Sequence, residues 1–198
     1  MIFDPKITSR FYKAIVGKTG EGVYHPIQAD SSTCGLLVAA HQEVAVHAGH
    51  YFRSGINYTL ANGDVAGFAM SIPNIGKEIH MSWELTATAD GTFIVVEDVT
   101  SFAGGASVTP LNHNRVVNTA SITTCLKGMT GVDLITPTGG TTILSAALAT
   151  GKGSSINRDT SAEFILKPNS NYFWQYTNGV NANIIKLTLV WHDHTPCV

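Results

Sequence analysis

The stretch KEIHMSWELTAT, residues 77–88, decides the fold of this chain. Its apolar and polar side chains alternate, with the apolar ones at Ile79, Met81, Trp83, Leu85 and Ala87. Successive side chains of a β-strand point to opposite faces of a sheet, so this pattern predicts a strand with one buried face and one hydrated face. The alternation recurs along the chain, and the 3.6-residue period of an amphipathic helix does not. The sequence therefore predicts an antiparallel β protein.

Ten strands are predicted after Gly35. They span Leu36–Val46, Tyr51–Leu60, Ala66–Ile72, Glu78–Thr88, Thr92–Asp98, Ser121–Lys127, Thr141–Leu148, Glu163–Lys167, Tyr172–Thr177 and Ile184–His192. Turn-forming pairs such as Asp90-Gly91 separate neighbouring strands, and this spacing is typical of a β-sandwich. We expect an all-β fold over residues 35–198, an antiparallel two-sheet sandwich of the jelly-roll type.

Residues 1–34 differ from the rest and are predicted to form an irregular N-terminal arm. They carry aromatic and cationic side chains among glycines and prolines, without sustained alternation. Fully extended, such a segment spans on the order of 100 Å. Two interpretations remain open: an irregular lead-in that packs on its own domain, and an arm that reaches another subunit.

Composition excludes several classes of partner. Charged residues make up 13% of the chain and the net charge is −2, whereas nucleic-acid binding requires a basic stripe that displaces counterions. The three cysteines are odd in number and far apart, which suits a reducing compartment. The first residues lack a signal-peptide pattern, and no apolar run is long enough to span a bilayer. We expect a soluble protein, made inside the cell, that binds neither nucleic acid nor membrane.

The motifs of common enzymes are incomplete in this chain. Gly17-Lys18-Thr19 lacks the first glycine of a phosphate-binding loop, and no Gly-x-Ser-x-Gly occurs. The chain has eight histidines, but its His-x-His sequence, His192-Asp193-His194, lies too late for the downstream ligands of a cupin metal site. A cupin-like metal enzyme is therefore only a distant alternative. We expect no metal and no cofactor.

Two further groups of residues are candidate sites. Glu78, Glu84 and the pair Glu97-Asp98 lie on neighbouring predicted strands, as the two carboxylates of a glycosidase do, but nothing marks an acid of raised pKa. We therefore predict that the protein is not an enzyme. The aromatic side chains of Tyr172, Trp174 and Tyr176 alternate along one strand. An exposed stripe of this kind stacks on sugar rings, whereas a buried one forms a core wall, which is the more frequent role of aromatic residues.

Several phrases of the sequence, taken in order, resemble a family of tailed-bacteriophage virion structural proteins. They are HAGHYF (47–52), IHMSWE (79–84), VTPLNHNR (108–115), EFILK (163–167) with Asn171-Tyr172, and LTLVWH (187–192). The resemblance covers residues 41–194 and leaves the first 35 or so residues outside it.

The resemblance implies a β-sandwich on the outer surface of a phage head, which acts as a decoration or cement protein. Its partners would be the major capsid protein and neighbouring copies of itself, in a homo-oligomer or a symmetric array on the virion, after synthesis in the host cytoplasm. We predict capsid contacts at Phe3, Phe11, Tyr12 and Arg115. The alternative is a head-fibre or tail receptor-binding module that holds glycans on the Tyr172, Trp174 and Tyr176 stripe.

Overall fold

A computed structural model describes residues 45–116, 119–148, 154–157, 164–180 and 182–194. The predicted arm, with Phe3, Phe11 and Tyr12, lies outside the described residues, and so does the predicted domain boundary at residues 34 and 35.

The first predicted strand, Leu36–Val46, is wrong where it can be checked. Only Ala45 and Val46 of it are described, and both are helical. The N–H of Gly49 donates to the Val46 carbonyl at 3.0 Å and the N–H of His50 donates to the Ala45 carbonyl at 2.9 Å. Together with the positive φ of Gly49, 76°, these bonds form a Schellman motif, which ends a helix. Gly49 was thus the sequence signal for a helix end before β1.

Fourteen strands occur in the described part of the chain. They are β1 (Tyr51–Leu60), β2 (Val65–Ile72), β3 (Glu78–Ala87), β4 (Gly91–Glu97), β5 (Ser101–Ala103), β6 (Ala106–Val108), β7 (Leu111–Asn112), β8 (Thr124–Met129), β9 (Thr136–Thr138), β10 (Thr141–Leu148), β11 (Ser154–Asn157), β12 (Phe164–Leu166), β13 (Ser170–Asn178) and β14 (Asn183–His194). The nine other predicted strands are all present, with ends that shift by three residues at most. The short strands β5, β6, β7, β9 and β11 were not predicted.

Twelve of these strands form two antiparallel sheets that pack face to face, and β5 and β9 pair separately as a two-stranded ribbon. Sheet I has the order β11-β3-β14-β1-β7, with β12 also paired to β3, and sheet II has the order β10-β4-β13-β2-β8-β6. Four nested pairs, β1 with β14, β2 with β13, β3 with β12 and β4 with β10, fall alternately in sheet I and sheet II. A long hairpin that is rolled up produces this order, which is the jelly-roll winding. The predicted fold class is confirmed.

The main core lies between the two sheets. The largest side chains that are fully buried there include Trp174, Trp191, Phe52, Phe68 and Phe93. The rings of Trp83 on sheet I and Trp174 on sheet II meet edge to face, with centroids 6.1 Å apart. Contact between large rings across the sheet interface supplies much of the apolar burial that holds a sandwich together.

A second, smaller core covers the outer face of sheet II. The ribbon formed by β5 and β9 contributes to a cluster of Ala69, Val96, Val99, Ile135 and Phe173, with Phe102 packed against it. A Cβ atom on Gly67 would lie 2.6 Å from the Phe173 ring, so the missing side chain makes room for that ring. This third layer explains why Phe173, whose position points away from the main core, is nevertheless fully buried.

Candidate functional site

The aromatic stripe that was considered for glycan binding is not exposed on the surface. The exposed fractions of Tyr172, Trp174 and Tyr176 are 1%, 0% and 2%. They lie on β13, between β4 and β2 in sheet II, at positions that point toward sheet I. The Tyr172 hydroxyl donates to Glu97 Oε1 at 2.7 Å and that of Tyr176 donates to the Ala89 carbonyl at 3.1 Å. Burial contradicts the alternative that these rings stack on sugars and confirms the favoured interpretation, a core wall.

The four candidate glycosidase carboxylates are divided between the two sheets. Glu78 and Glu84 lie on β3 in sheet I, whereas Glu97 ends β4 in sheet II and Asp98 follows it. Lys167 Nζ lies 2.7 Å from Glu97 Oε2 and 3.0 Å from Asp98 Oδ2.

The Asp98 carboxylate also serves a structural purpose. The Ser170 hydroxyl donates to Asp98 Oδ1 at 2.6 Å. This hydrogen bond, and then the Lys167 ammonium, hold the pKa of Asp98 below its ordinary value. The cluster joins the end of β4 to the turn between β12 and β13, which is a structural task.

A part-buried ion pair lies at one end of the sandwich. Asp193, near the end of β14, is 3% exposed, and its Oδ2 lies 2.5 Å from Lys77 Nζ and 3.7 Å from His50 Nδ1. A carboxylate without water needs such partners, because an unpaired buried charge is costly. These three side chains link the residues just before β1 and β3 to the end of β14.

Histidine rings lie in a row across the same end of sheet I. His80 and His192 stack with centroids 4.9 Å apart, Tyr51 and His192 at 6.1 Å, and Tyr51 meets His113 edge-on at 4.8 Å. Partial burial, and then the Arg53 charge, lower the pKa of His113. No group of three or more histidine, cysteine, aspartate or glutamate side chains within the described ranges is arranged to hold a metal ion.

The loop of residues 111–116 presents apolar and cationic side chains on a fixed backbone. Asn112 Nδ2 donates to the Gly49 carbonyl at 2.8 Å and Asn112 Oδ1 accepts from the Asn114 N–H at 2.9 Å. Asn114 Oδ1 in turn accepts from the Val116 N–H at 3.0 Å. Asparagine side chains that bond to the backbone two residues on fix a turn without regular structure.

The outward side chains of this loop are Leu111, Arg115 and Val116. Leu111 is 60% exposed and Val116 is 95% exposed, and Arg115, a predicted contact residue, is exposed between them. Apolar side chains held outward on a fixed loop favour a contact with another molecule. Arg115 was predicted as a contact residue from the sequence, but the two asparagine turns that shape this loop were not predicted.

A groove of about 500 Å³ runs beside β1, near this loop. Its floor and walls are residues 53–58 of β1, residues 186–188 of β14, Val108, Thr109, Leu111 and Lys127. Three of the lining side chains, Arg53, Lys127 and Lys186, are cations, and none is a carboxylate. The groove was not predicted from the sequence, where Arg53 and Lys186 look like ordinary surface residues. Only the strand register, which places Asn57 of β1 opposite Lys186 of β14, brings these two strands together.

Comparisons with known proteins do not place the chain. No protein-family model matches it, and no curated protein matches it significantly. Among the described residues, no helix has the length and apolar character needed to cross a membrane.

Proposed function

We propose that this protein is a structural component of a tailed-phage virion that decorates the outer surface of the capsid and stabilises the head. The observation that carries the proposal is the fixed 111–116 loop, which holds Leu111 and Val116 outward around Arg115. The sequence phrase 108–115 that resembles the phage family falls on this same loop. We assign this loop to the contact with the capsid shell.

A jelly-roll sandwich suits this role for physical reasons. A protein that binds the assembled shell, and not its separate subunits, stabilises the shell by mass action. Such a protein needs a stiff body rather than a reaction centre, and two cores and three layers supply one. Many copies in a symmetric array act together, so each contact needs only modest affinity.

The decisive experiment measures binding of the purified protein to expanded heads that lack it, by co-sedimentation. The wild-type protein is expected to saturate the heads at a fixed copy number. The double variant Leu111→Ser and Val116→Ser should bind at least about tenfold more weakly, because about 1.5–3 kcal/mol is lost for each apolar side chain that the contact buries fully. Ile75→Ser is the control, since Ile75 is 51% exposed in a different loop.

Two outcomes contradict the proposal. Heads that take up no wild-type protein would refute the decoration role, and a double variant that binds like Ile75→Ser would refute the assignment of the loop. The predicted contacts of the arm are tested in the same assay by replacing Phe3, Phe11 and Tyr12 with alanine, which is expected to lower head occupancy.

The alternative of a glycan-binding adhesion module has lost the residues on which it depended. Its aromatic stripe is part of the core. No other feature of the described residues favours it over the contact with a capsid.

A further inference from the structure

We infer that the free edge of β1 accepts an extended, acidic segment of a partner protein as an added strand of sheet I. The inference deepens the proposed function, on which it rests for the identity of the partner as the capsid shell. The chemistry of the segment itself follows from the strand edge and the groove alone.

The backbone polar groups of β1 point alternately to its two sides. In an antiparallel strand, the N–H and C=O of one residue point to the same side, and successive residues alternate. The His50 carbonyl accepts from the Asp193 N–H, whereas the Tyr51 carbonyl accepts from the His113 N–H. The N–H and C=O groups of even-numbered residues of β1 therefore point to β14, and those of odd-numbered residues point to the opposite side.

That other side of β1 is covered for only part of its length. The short strand β7 pairs with Phe52 and Arg53 alone. Within the part of the chain that the structure describes, no strand pairs with this side of Gly55, Asn57 or Thr59. These three residues thus present three N–H and three C=O groups, the number that a segment of about six or seven residues would satisfy by strand addition.

The charge of the groove defines the occupant. Arg53, Lys127 and Lys186 line it, and none of the three belongs to an ion pair formed within the described ranges. Asp133 is close enough to Tyr58 to contribute, after burial, to the raised pKa of that phenol, but it does not line the groove. An acidic chain is therefore the complementary ligand.

Side-chain alternation adds a second requirement. An added strand places alternate side chains over the outer face of sheet I, toward Arg53 and Lys186. Its other side chains point toward the interior of the sandwich, where Val108 lies. The segment that fits best alternates acidic and apolar residues. Its length of about seven residues corresponds to residues 54–60 of β1.

The charge pattern disfavours two other occupants. Residues 1–34 of this chain contain four lysine and arginine residues against three aspartate and glutamate residues, a net charge of +1, so this segment does not complement a cationic groove. A second copy that added its own β1 edge would bring two sets of groove cations together, and like charges at close range repel.

The test uses a fluorescein-labelled peptide of seven alternating valine and glutamate residues, with fluorescence anisotropy at low ionic strength. The full-length protein should bind it at least about tenfold more tightly than the same peptide with lysine in place of glutamate. An N-methylated version, which keeps the charges but blocks strand hydrogen bonds, should also lose at least about tenfold. Equal binding of the methylated peptide would overturn strand addition.

Variants of the protein separate edge pairing from charge. Asn57→Pro removes an edge N–H that faces away from β14, and proline is tolerated at sheet edges. This variant should lose the acidic peptide, and the control Asn57→Ala should bind within about threefold of wild type. The double variant Arg53→Glu and Lys186→Glu should prefer the lysine peptide, which also shows that it is folded. An unchanged preference would overturn the assignment of the cations.

Two further readouts separate this inference from the proposed function and from the other occupants. If Asn57→Pro loses the peptide but still decorates heads, the edge does not contact the shell and the proposed function stands. If wild type binds the peptide but not heads, the proposed function fails and the edge site stands. Concentration-dependent dimerisation that Asn57→Pro abolishes would name a second copy as the occupant and overturn the inference. If deletion of residues 1–34 strengthens peptide binding, the arm is the occupant of the edge, and the inference is overturned.

Discussion

The variant Asn183→Ala tests how the end of the sandwich opposite the Asp193 ion pair is held together. Asn183 begins β14 and is fully buried. Its Oδ1 accepts hydrogen bonds from Thr88 N at 2.9 Å, Thr88 Oγ1 at 3.0 Å and Ala89 N at 3.0 Å. Its Nδ2 donates to Tyr176 Oη at 2.6 Å and Asn178 Oδ1 at 2.8 Å. One side chain therefore joins the end of β3, in sheet I, to β13, in sheet II.

The magnitude follows from the groups that the variant leaves without a partner. The Thr88 N–H keeps a second acceptor, the Ile184 carbonyl at 3.1 Å. The hydroxyl of Thr88, an exposed residue, still accepts from the Ile184 N–H, and the Tyr176 hydroxyl still donates to the Ala89 carbonyl. The Ala89 N–H and the Asn178 Oδ1 each lose a hydrogen bond and keep no other protein partner. A buried polar group that loses its partner costs about 1–3 kcal/mol. Asn183→Ala should lower the free energy of unfolding by about 2–6 kcal/mol.

Urea unfolding followed by tryptophan fluorescence measures this change. The three tryptophans are all in the core, so their emission reports the whole sandwich. The midpoint should fall while the m-value stays the same. Asn57→Ala is the matched control, because Asn57 is exposed on β1 and surface substitutions change stability by less than about 0.5 kcal/mol. A loss below about 1 kcal/mol for Asn183→Ala, at an unchanged m-value, would refute the reasoning.

Three more predictions follow from the second core, the buried thiol and the ion cluster. Phe173→Ala should cost about 3–5 kcal/mol in urea unfolding, because it empties the second core, whereas Gln175→Ala on the same face of β13 should cost under about 1 kcal/mol. Burial raises the pKa of the Cys125 thiol to about 12, so with the other cysteines replaced by serine, DTNB at pH 8 should react only after urea is added. Asp98→Asn should reduce the loss of stability in acid, so its urea midpoint should fall less than that of wild type between pH 6 and pH 2.5.

The Asp98 pKa is lower in the folded protein than its ordinary value of 3.8, so the ionised carboxylate stabilises the fold above about pH 4. That stabilisation is lost as the pH falls through the folded pKa. An acid profile that Asp98→Asn leaves unchanged would contradict this account. Equal effects of Phe173→Ala and Gln175→Ala, or fast labelling of the folded thiol, would contradict the other two.

The strands of the sandwich were predictable because each carries its own signal. The alternation at residues 77–88 depends only on which face of β3 meets the core, and the structure buries the alternate residues from Ile79 to Ala87. Strands β5, β6, β7 and β9 were missed because they are two or three residues long. Such a segment has no room for a period of two, and its pairing depends on partners distant in sequence.

The sites were harder to predict, since they depend on register. Phe173 lies on the face of β13 opposite Tyr172, Trp174 and Tyr176, and it is buried because the β5–β9 ribbon supplies a second core there. The groove cations come from β1, β8 and β14, and they become neighbours only when these strands are wound together. The exposed position of Arg115 in a long loop agrees with its choice as a contact residue, and its role stays a prediction.

The nested winding has a consequence for the order in which the sandwich is completed during synthesis. β14 lies between β1 and β3 in sheet I, yet it is the last of the described strands to leave the ribosome. Until then β1 lacks the neighbour that pairs with all ten of its residues, and the nascent chain exposes two strand edges that are prone to wrong pairing. Because β1 and β14 are distant in sequence, closure is also expected to be slow. Chaperones that hold the unfinished chain until β14 pairs with β1 are therefore expected to raise the yield of this protein.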